Sequence, residues 1–344
     1  MAYPASTPAR PDNARPHAPA QTRPQKLQSA DAPTVVFISS AGHSGSTLLD
    51  MMIGNLSYAE SLGELMVMPG EIALGSPCTC GASLLECPLW SRVLARWSQR
   101  HGRPPGDIRL GWMAHSQHAS RAFRLARAAS HGWRWLQLRA GVPALGLAEP
   151  VYRRGLEQTL ELYDDVAECS GKRVLVNSSK PYLVAVDHAR LLGARCRVIN
   201  LVRDGRAVYA SFLRHGFAPR AALHAWQHHY DRALPLFERY VGPGQLLTVR
   251  YEDLVTRPQE TMSRVCGFLG EPFEPSALEF SAPHHNVNGN DIRFRPRHEL
   301  RLDERWRREL SASQLEFFMQ HAGRTMLRMG YGADVTPPAA PRAA

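Results

Sequence analysis

The sequence predicts an α/β fold built on a central parallel sheet. Three observations carry this. Apolar, β-branched runs at 34–38, 172–176, 197–202 and 245–251 have the composition of strands buried on both faces. Segments with helical apolar spacing separate them, as parallel crossovers require. Polar turns follow the runs, at the sheet edge where open α/β proteins bind ligands. The chain has 344 residues, 44% of them hydrophobic, enough for a sizeable core.

Taken in order, residues 1–33 are rich in Pro, Ala, Arg and Gln, lack periodicity and are expected to be disordered. They contain no apolar core of a signal peptide. The run Thr34-Val35-Val36-Phe37-Ile38 is the first strand. A turn of small residues follows, Ser39-Ser40-Ala41-Gly42-His43-Ser44-Gly45, and Ser46 to Ile53 opens a helix. A strand that turns through glycines into a helix N-terminus forms an anion cradle, because free N–H groups and the helix dipole converge there. The spacing differs from Gly-x-x-x-x-Gly-Lys-Ser/Thr, and no lysine follows Gly45. The cradle suits a phosphate but not Mg-nucleotide hydrolysis, and an ordinary tight β–α turn is the plainer reading.

Residues 55–65 return toward the sheet and bring Gly63-Glu64 into an apolar stretch. A carboxylate so placed has a raised pKa and can serve as a base; a capping or solvated glutamate is the structural alternative. Cys78, Cys80 and Cys87 are close in sequence but lack a fourth ligand at finger-like spacing. They read as packed thiols, as one disulfide or as a metal site, and the expectation carried forward is no metal. Residues 90–138 are helical and arginine-rich, with Trp97, Trp112, Trp133 and Trp135 interleaved and a break at 102–107. Such a surface can bind nucleic acid, but amphipathic helices with solvated arginines account for it more simply.

A helix over 151–170 precedes the second strand, which runs into the polar turn Asn177-Ser178-Ser179-Lys180-Pro181. After a helix at 182–192, the third strand ends at Arg203, and the next helix carries Ser211 two turns in. An arginine fork and a hydroxyl so placed can hold one phosphate from two sides. Asp204 is a candidate cap or partner for Arg206. Helices around 221–240 lead to the last strand, and Glu252 and Asp253 open a turn as structural acids. A helix over 258–269 ends at Gly270. The donor-rich segment from His284 to Arg295 is expected to fold over a ligand; its histidine pair lacks a carboxylate at zinc-site spacing. A helical stretch at 302–329 and a tail at 333–344, expected to be disordered, complete the chain.

Net charge is +10. Arg10, Arg15, Arg23 and Lys26 against Asp12 and Asp31 leave +2 on residues 1–33 and +8 on the remainder. A basic body suits an anionic ligand, whether nucleic acid, phosphorylated cofactor or acidic lipid. Six scattered cysteines fit a reducing compartment, and no run of 18 apolar residues marks a membrane span, so a cytoplasmic enzyme is the expectation.

Three segments together resemble the PAPS-dependent sulfotransferase family (PAPS is 3′-phosphoadenosine 5′-phosphosulfate). The likeness is to the bacterial branch with a GHSGSTLL loop, akin to tyrosylprotein-type sulfotransferases. Gly42-His43-Ser44-Gly45-Ser46-Thr47 is similar to its 5′-phosphosulfate loop. Arg203 through Ser211 resembles its 3′-phosphate motif, and Arg250-Tyr251-Glu252-Asp253-Leu254 resembles a landmark of its fold. The resemblance implies a P-loop-like three-layer fold, here spanning 34–332, with a Cys-containing helical insertion at about 76–150 on the acceptor side. It further implies PAPS as donor, PAP as product, no catalytic metal and no nucleic-acid partner. Ser44, Gly45, Ser46 and Thr47 would hold the 5′ side, Arg203 and Ser211 the 3′-phosphate, and Gly289, Asn290 and Arg293 a late loop. Glu64 stands where several members place a base. His43 stands where many members carry Lys or Arg, a role it fills only when protonated. Lys180, in a segment similar to the family's Asp-Ser-Ser-Lys, is the other catalytic cation; Asn177 replaces the aspartate there. The acceptor hydroxyl or amine is unspecified, whether of a small molecule, carbohydrate, lipid or peptide tyrosine. A nucleotide phosphotransferase and a non-catalytic basic nucleic-acid-binding protein are the competing classes.

Overall fold

In a computed structural model, residues 32–110, 121–142, 150–279, 284–295 and 300–332 are described. The expected disorder of the two tails and the placement of Trp112 lie outside the described residues. Five parallel strands form one sheet: β1 (Thr34–Ser39), β2 (Ala59–Ser61), β3 (Val174–Lys180), β4 (Cys196–Val202) and β5 (Leu246–Arg250), in the order β2-β3-β1-β4-β5. The helices are α1 (Ser46–Gly54), α2 (Met68–Leu74), α3 (Trp90–His101), α4 (Arg121–Arg139), α5 (Pro150–Ser170), α6 (Tyr182–Leu192), α7 (Gly205–Arg214), α8 (Pro219–Tyr240), α9 (Tyr251–Thr256), α10 (Pro258–Leu269), α11 (Trp306–Glu309) and α12 (Ala312–Arg328).

Side chains alternate across the sheet, so every second residue of β1 meets the same helical layer. Val36 and Ile38 pack with Leu49, Met52 and Ile53 of α1 and Met262 and Val265 of α10. Phe37 faces the opposite layer, its ring centroid 5.1 Å from that of His188 on α6. Both faces are covered, which is why the strands read as unbroken apolar runs. Trp226 and Tyr230 of α8 and Phe318 of α12 build a second core against α7.

Four expectations change. β2 is an additional strand of three residues, too short to show an alternation. The supposed turn at 177–180 continues β3, with a register shift opposite the Phe37–Ser39 end of β1. Asn177 anchors it, donating from Nδ2 to Tyr163 Oη at 2.7 Å and accepting from Ser179 N at 2.9 Å. Residues 251–256 form α9 rather than a turn, and the final helical stretch breaks between α11 and α12, where Ser311 and Gln314 form a capping box.

Asp50, on α1 and fully buried, ties the layers behind the sheet edge. It accepts from Ser178 Oγ at 3.0 Å and Asn286 Nδ2 at 2.9 Å. Burial raises its pKa to about 7 despite these donors. Between its ordinary value and that raised one, the folded chain holds the proton and the unfolded chain releases it. Its contribution to stability is therefore full at low pH and is lost as pH rises toward 7, on the order of 4 kcal/mol in all. Asp50→Asn is expected to remove this component. Thermal melts of both proteins from pH 5 to 8 should show the variant gaining on wild type with pH; parallel curves would exclude it.

Candidate active site

The carboxyl ends of β1, β3 and β4, the segment after β2 and the late residues 289–292 line one cleft of about 1010 Å3. Its first wall is the turn from β1 into α1. Gly45 has φ +92°, and a Cβ there would stand 2.5 Å from Tyr251 Cδ2, so both backbone and space require glycine. The first intrahelical bond runs from Leu49 N to Gly45 O at 3.1 Å. The N–H groups of Ser46, Thr47 and Leu48 therefore lack acceptors within the helix and, with the dipole, favour an anion at this end. Ser46 and Thr47 line the cleft as expected; Ser44 is buried beneath the turn and does not.

His43 lines the cleft in a left-handed conformation, φ 61°, packed against Phe212 and His215. Burial, then the charges of His215, Lys180, Arg203 and Arg214, lower its pKa to about 4. With that value it is neutral at pH 7 in the free protein, where the expectation gave it a cation's role only when protonated. Lys180 also lines the cleft. It too is left-handed, φ 81°, a conformation that costs a non-glycine residue roughly 1–2 kcal/mol. Its carbonyl accepts from Ser39 Oγ at 2.8 Å, and its ammonium pairs with the Glu64 carboxylate. Glu64 does not share the apolar surroundings of its sequence neighbours. Leu62, Leu65 and Met66 are buried, whereas the Glu64 side chain is 25% exposed at the cleft.

Arg203 forms the third wall. Its Nη1 donates to His43 O at 2.9 Å, its Nη2 contacts Asp303 Oδ2 at 3.2 Å, and its guanidinium lies 4.3 Å over the Tyr251 ring. Its Nε is buried with no partner, an N–H that an anion in the cleft would satisfy. Ser211 lines the same cleft. Asp204 caps α7 through Arg206 N at 2.9 Å and pairs with Arg206 Nη2 at 2.7 Å. Glu252 accepts from Asp204 N at 3.0 Å and Tyr331 Oη at 2.7 Å, which confirms its structural role.

The late loop covers the cradle. Asn290 N donates to Thr47 Oγ1 at 3.1 Å, and a Cβ on Gly289 would meet the same oxygen at 3.0 Å. Arg293 does not reach the cleft; its guanidinium lies 4.5 Å over the Phe294 ring. Among the described residues, none from the insertion at 76–150 lines the cleft. Sequence reasoning missed Arg214, Asp303, Arg305 and Tyr251 as lining residues. The cluster Arg301-Leu302-Asp303-Glu304-Arg305 was a signal for two of them. Arg214 is the last residue of α7, about one turn beyond Ser211.

The sequence model of a family described as the sulfotransferase family matches residues 33–275. The sulfotransferase domain from the curacin biosynthetic pathway is 20% identical and superposes with a TM-score of 0.50, over 88% of this chain and 99% of that one. The sulfotransferase domain of the Synechococcus PCC 7002 olefin synthase gives 21%, 0.49, 90% and 98%. Mouse sulfotransferase SULT7A1 complexed with PAP gives 10%, 0.38, 87% and 84%. At these identities the likeness is one of fold. The comparison with curated proteins returns no match.

Gly45→Ala is expected to destabilise the fold by about 1–3 kcal/mol, because the new methyl enters a strained conformation against the Tyr251 ring. Urea denaturation measures this; an unchanged midpoint would show that the turn relaxes freely.

Proposed function

The chain belongs to the sulfotransferase family, and we propose that it moves a sulfuryl group from PAPS to an acceptor hydroxyl or amine by in-line displacement. The observation that carries this reading is the pairing of two anion grips across one cleft. One is the α1 N-terminus with Ser46 and Thr47. The other is Arg203, whose buried Nε lacks a partner, with Ser211 in the same cleft. When bound, PAPS supplies the sulfuryl group and a phosphate leaving group. The protein binds its 5′ side at the cradle, beneath Gly289 and Asn290, and its 3′-phosphate at Arg203 and Ser211.

Lys180 stands at the cradle's open side with a full charge to stabilise negative charge developing there, where one preorganised donor contributes about 3–4 kcal/mol. His43, neutral, offers a ring N–H and a contact surface. Glu64 takes the proton of the acceptor, which enters past Met66, Val67 and Pro181. The ion pair with Lys180 aims Glu64 before the acceptor arrives. A phosphotransferase reading lacks its lysine after Gly45. All six cysteines are free, which supports the proposal of a reducing, cytoplasmic setting. Among the described residues, no helix is long and apolar enough to cross a membrane.

Calorimetric titration with PAP and with ATP tests the cofactor. PAP is expected to bind more tightly, and Arg203→Ala to weaken it at least about tenfold, the scale of one charged hydrogen bond. No PAP binding by folded protein would overturn the reading. Glu64→Gln is expected to lower turnover about 10²–10⁴-fold with PAP affinity little changed; full turnover in that variant would remove Glu64 from the base role.

A further inference from the structure

We propose that Cys78, Cys80, Cys87 and His285 form a structural zinc site that fastens the loop over the cleft to the cysteine-bearing segment. The sequence offered only three cysteines, because the fourth ligand lies 198 residues beyond Cys87. The fold supplies it. One donor atom from each residue lies within 4.8 Å of all the others, and Cys87 Sγ is 3.2 Å from His285 Nδ1. A tetrahedral zinc with sulfur ligands at about 2.3 Å and nitrogen at about 2.0–2.1 Å spaces its ligand atoms about 3.5–3.8 Å apart. The four groups thus converge on the volume such an ion occupies.

The turn that carries the ligands is tight. Gly81 adopts φ +93°, and Gly81 N closes a tight turn onto Cys78 O at 2.8 Å. Cys78 and Cys87 are buried, Cys80 and His285 half-buried, so water has limited access. Three thiolates, a neutral imidazole and Zn2+ carry a net charge of −1. Arg293 is buried, with Nε and Nη1 lacking hydrogen-bond partners among the described residues, and it interacts electrostatically with Glu71 first, then with Cys78, Asp291 and Glu64.

The position couples the ion to the cleft. Trp90 Nε1 donates to His285 O at 2.6 Å, and Thr79 N to Asn286 O at 3.3 Å. Beyond this, Val287 N bonds to Leu62 O at 3.0 Å and Glu64 N to Asn288 O at 3.2 Å. Gly289 and Asn290 follow, over Thr47. A metal at His285 fixes the strap that positions both the Glu64 backbone and the cover of the cradle. This last consequence rests on the proposed function; the metal itself does not.

The test is elemental analysis of the full chain purified without chelators from zinc-supplemented culture. One zinc per chain is expected, lost at least about tenfold in Cys80→Ser and in His285→Ala and retained in Cys169→Ser. Where those variants do not fold, Co2+ exchanged into wild type is expected to show thiolate charge-transfer and tetrahedral d–d absorption bands. Metal-free protein, a Cys78–Cys87 disulfide by mass spectrometry, zinc unaffected by both ligand variants, or Co2+ without those bands would each overturn the proposal. PAP titration before and after zinc removal reads the coupling separately: weaker PAP binding is expected, and unchanged affinity would remove the coupling while metal content still decides the site.

Discussion

The site depends on where one aromatic ring sits. Tyr251, first residue of α9, abuts the Gly45 backbone so closely that no side chain fits there, and the Arg203 guanidinium lies over the same ring. The ring thereby sets the distance between the N-terminus of α1 and the Arg203 guanidinium, the two proposed anion grips. A buried ring packed on backbone has little freedom to shift, since interiors are close-packed. Neighbouring Glu252 holds the Asp204 N–H and the Tyr331 hydroxyl, which secures the tip of β4 from the other side. The segment that read as a landmark of the fold is thus a spacer between the two grips.

A second constraint works at the opposite edge. Lys180 occupies a conformation that favours glycine, and the cost is sustained by the Ser39 bond to its carbonyl and by its ion pair with Glu64. The ammonium meets the Glu64 carboxylate at the cleft. Behind it, Asp50 joins α1, β3 and the late loop through Ser178 and Asn286. Helix, strand and cover are held as one unit, and that suits chemistry that depends on positioning.

Much of this was legible. The apolar runs located four of the five strands, since a strand covered on both faces leaves no alternation to misread. The cradle and the Arg203–Ser211 pair were legible because their geometry is local, a turn and two turns of helix. Asn177, a departure from the family pattern, supports β3 from a buried position. Other features failed for lack of local signal. β2 has three residues, too few to show a period.

The sequence by itself determined the sheet, its crossovers and the presence of a phosphate-sized cradle, because periodicity and turn chemistry act over a few residues. Only the tertiary structure decided the electrostatics. His43 has a lowered pKa because burial and then nearby cations disfavour its charged form, and Arg293 is not among the residues that line the cleft. It alone joined His285 to the three cysteines. Sequence spacing has no bearing on ligands that meet through the packing of distant loops, where distance in the chain and distance in space are unrelated.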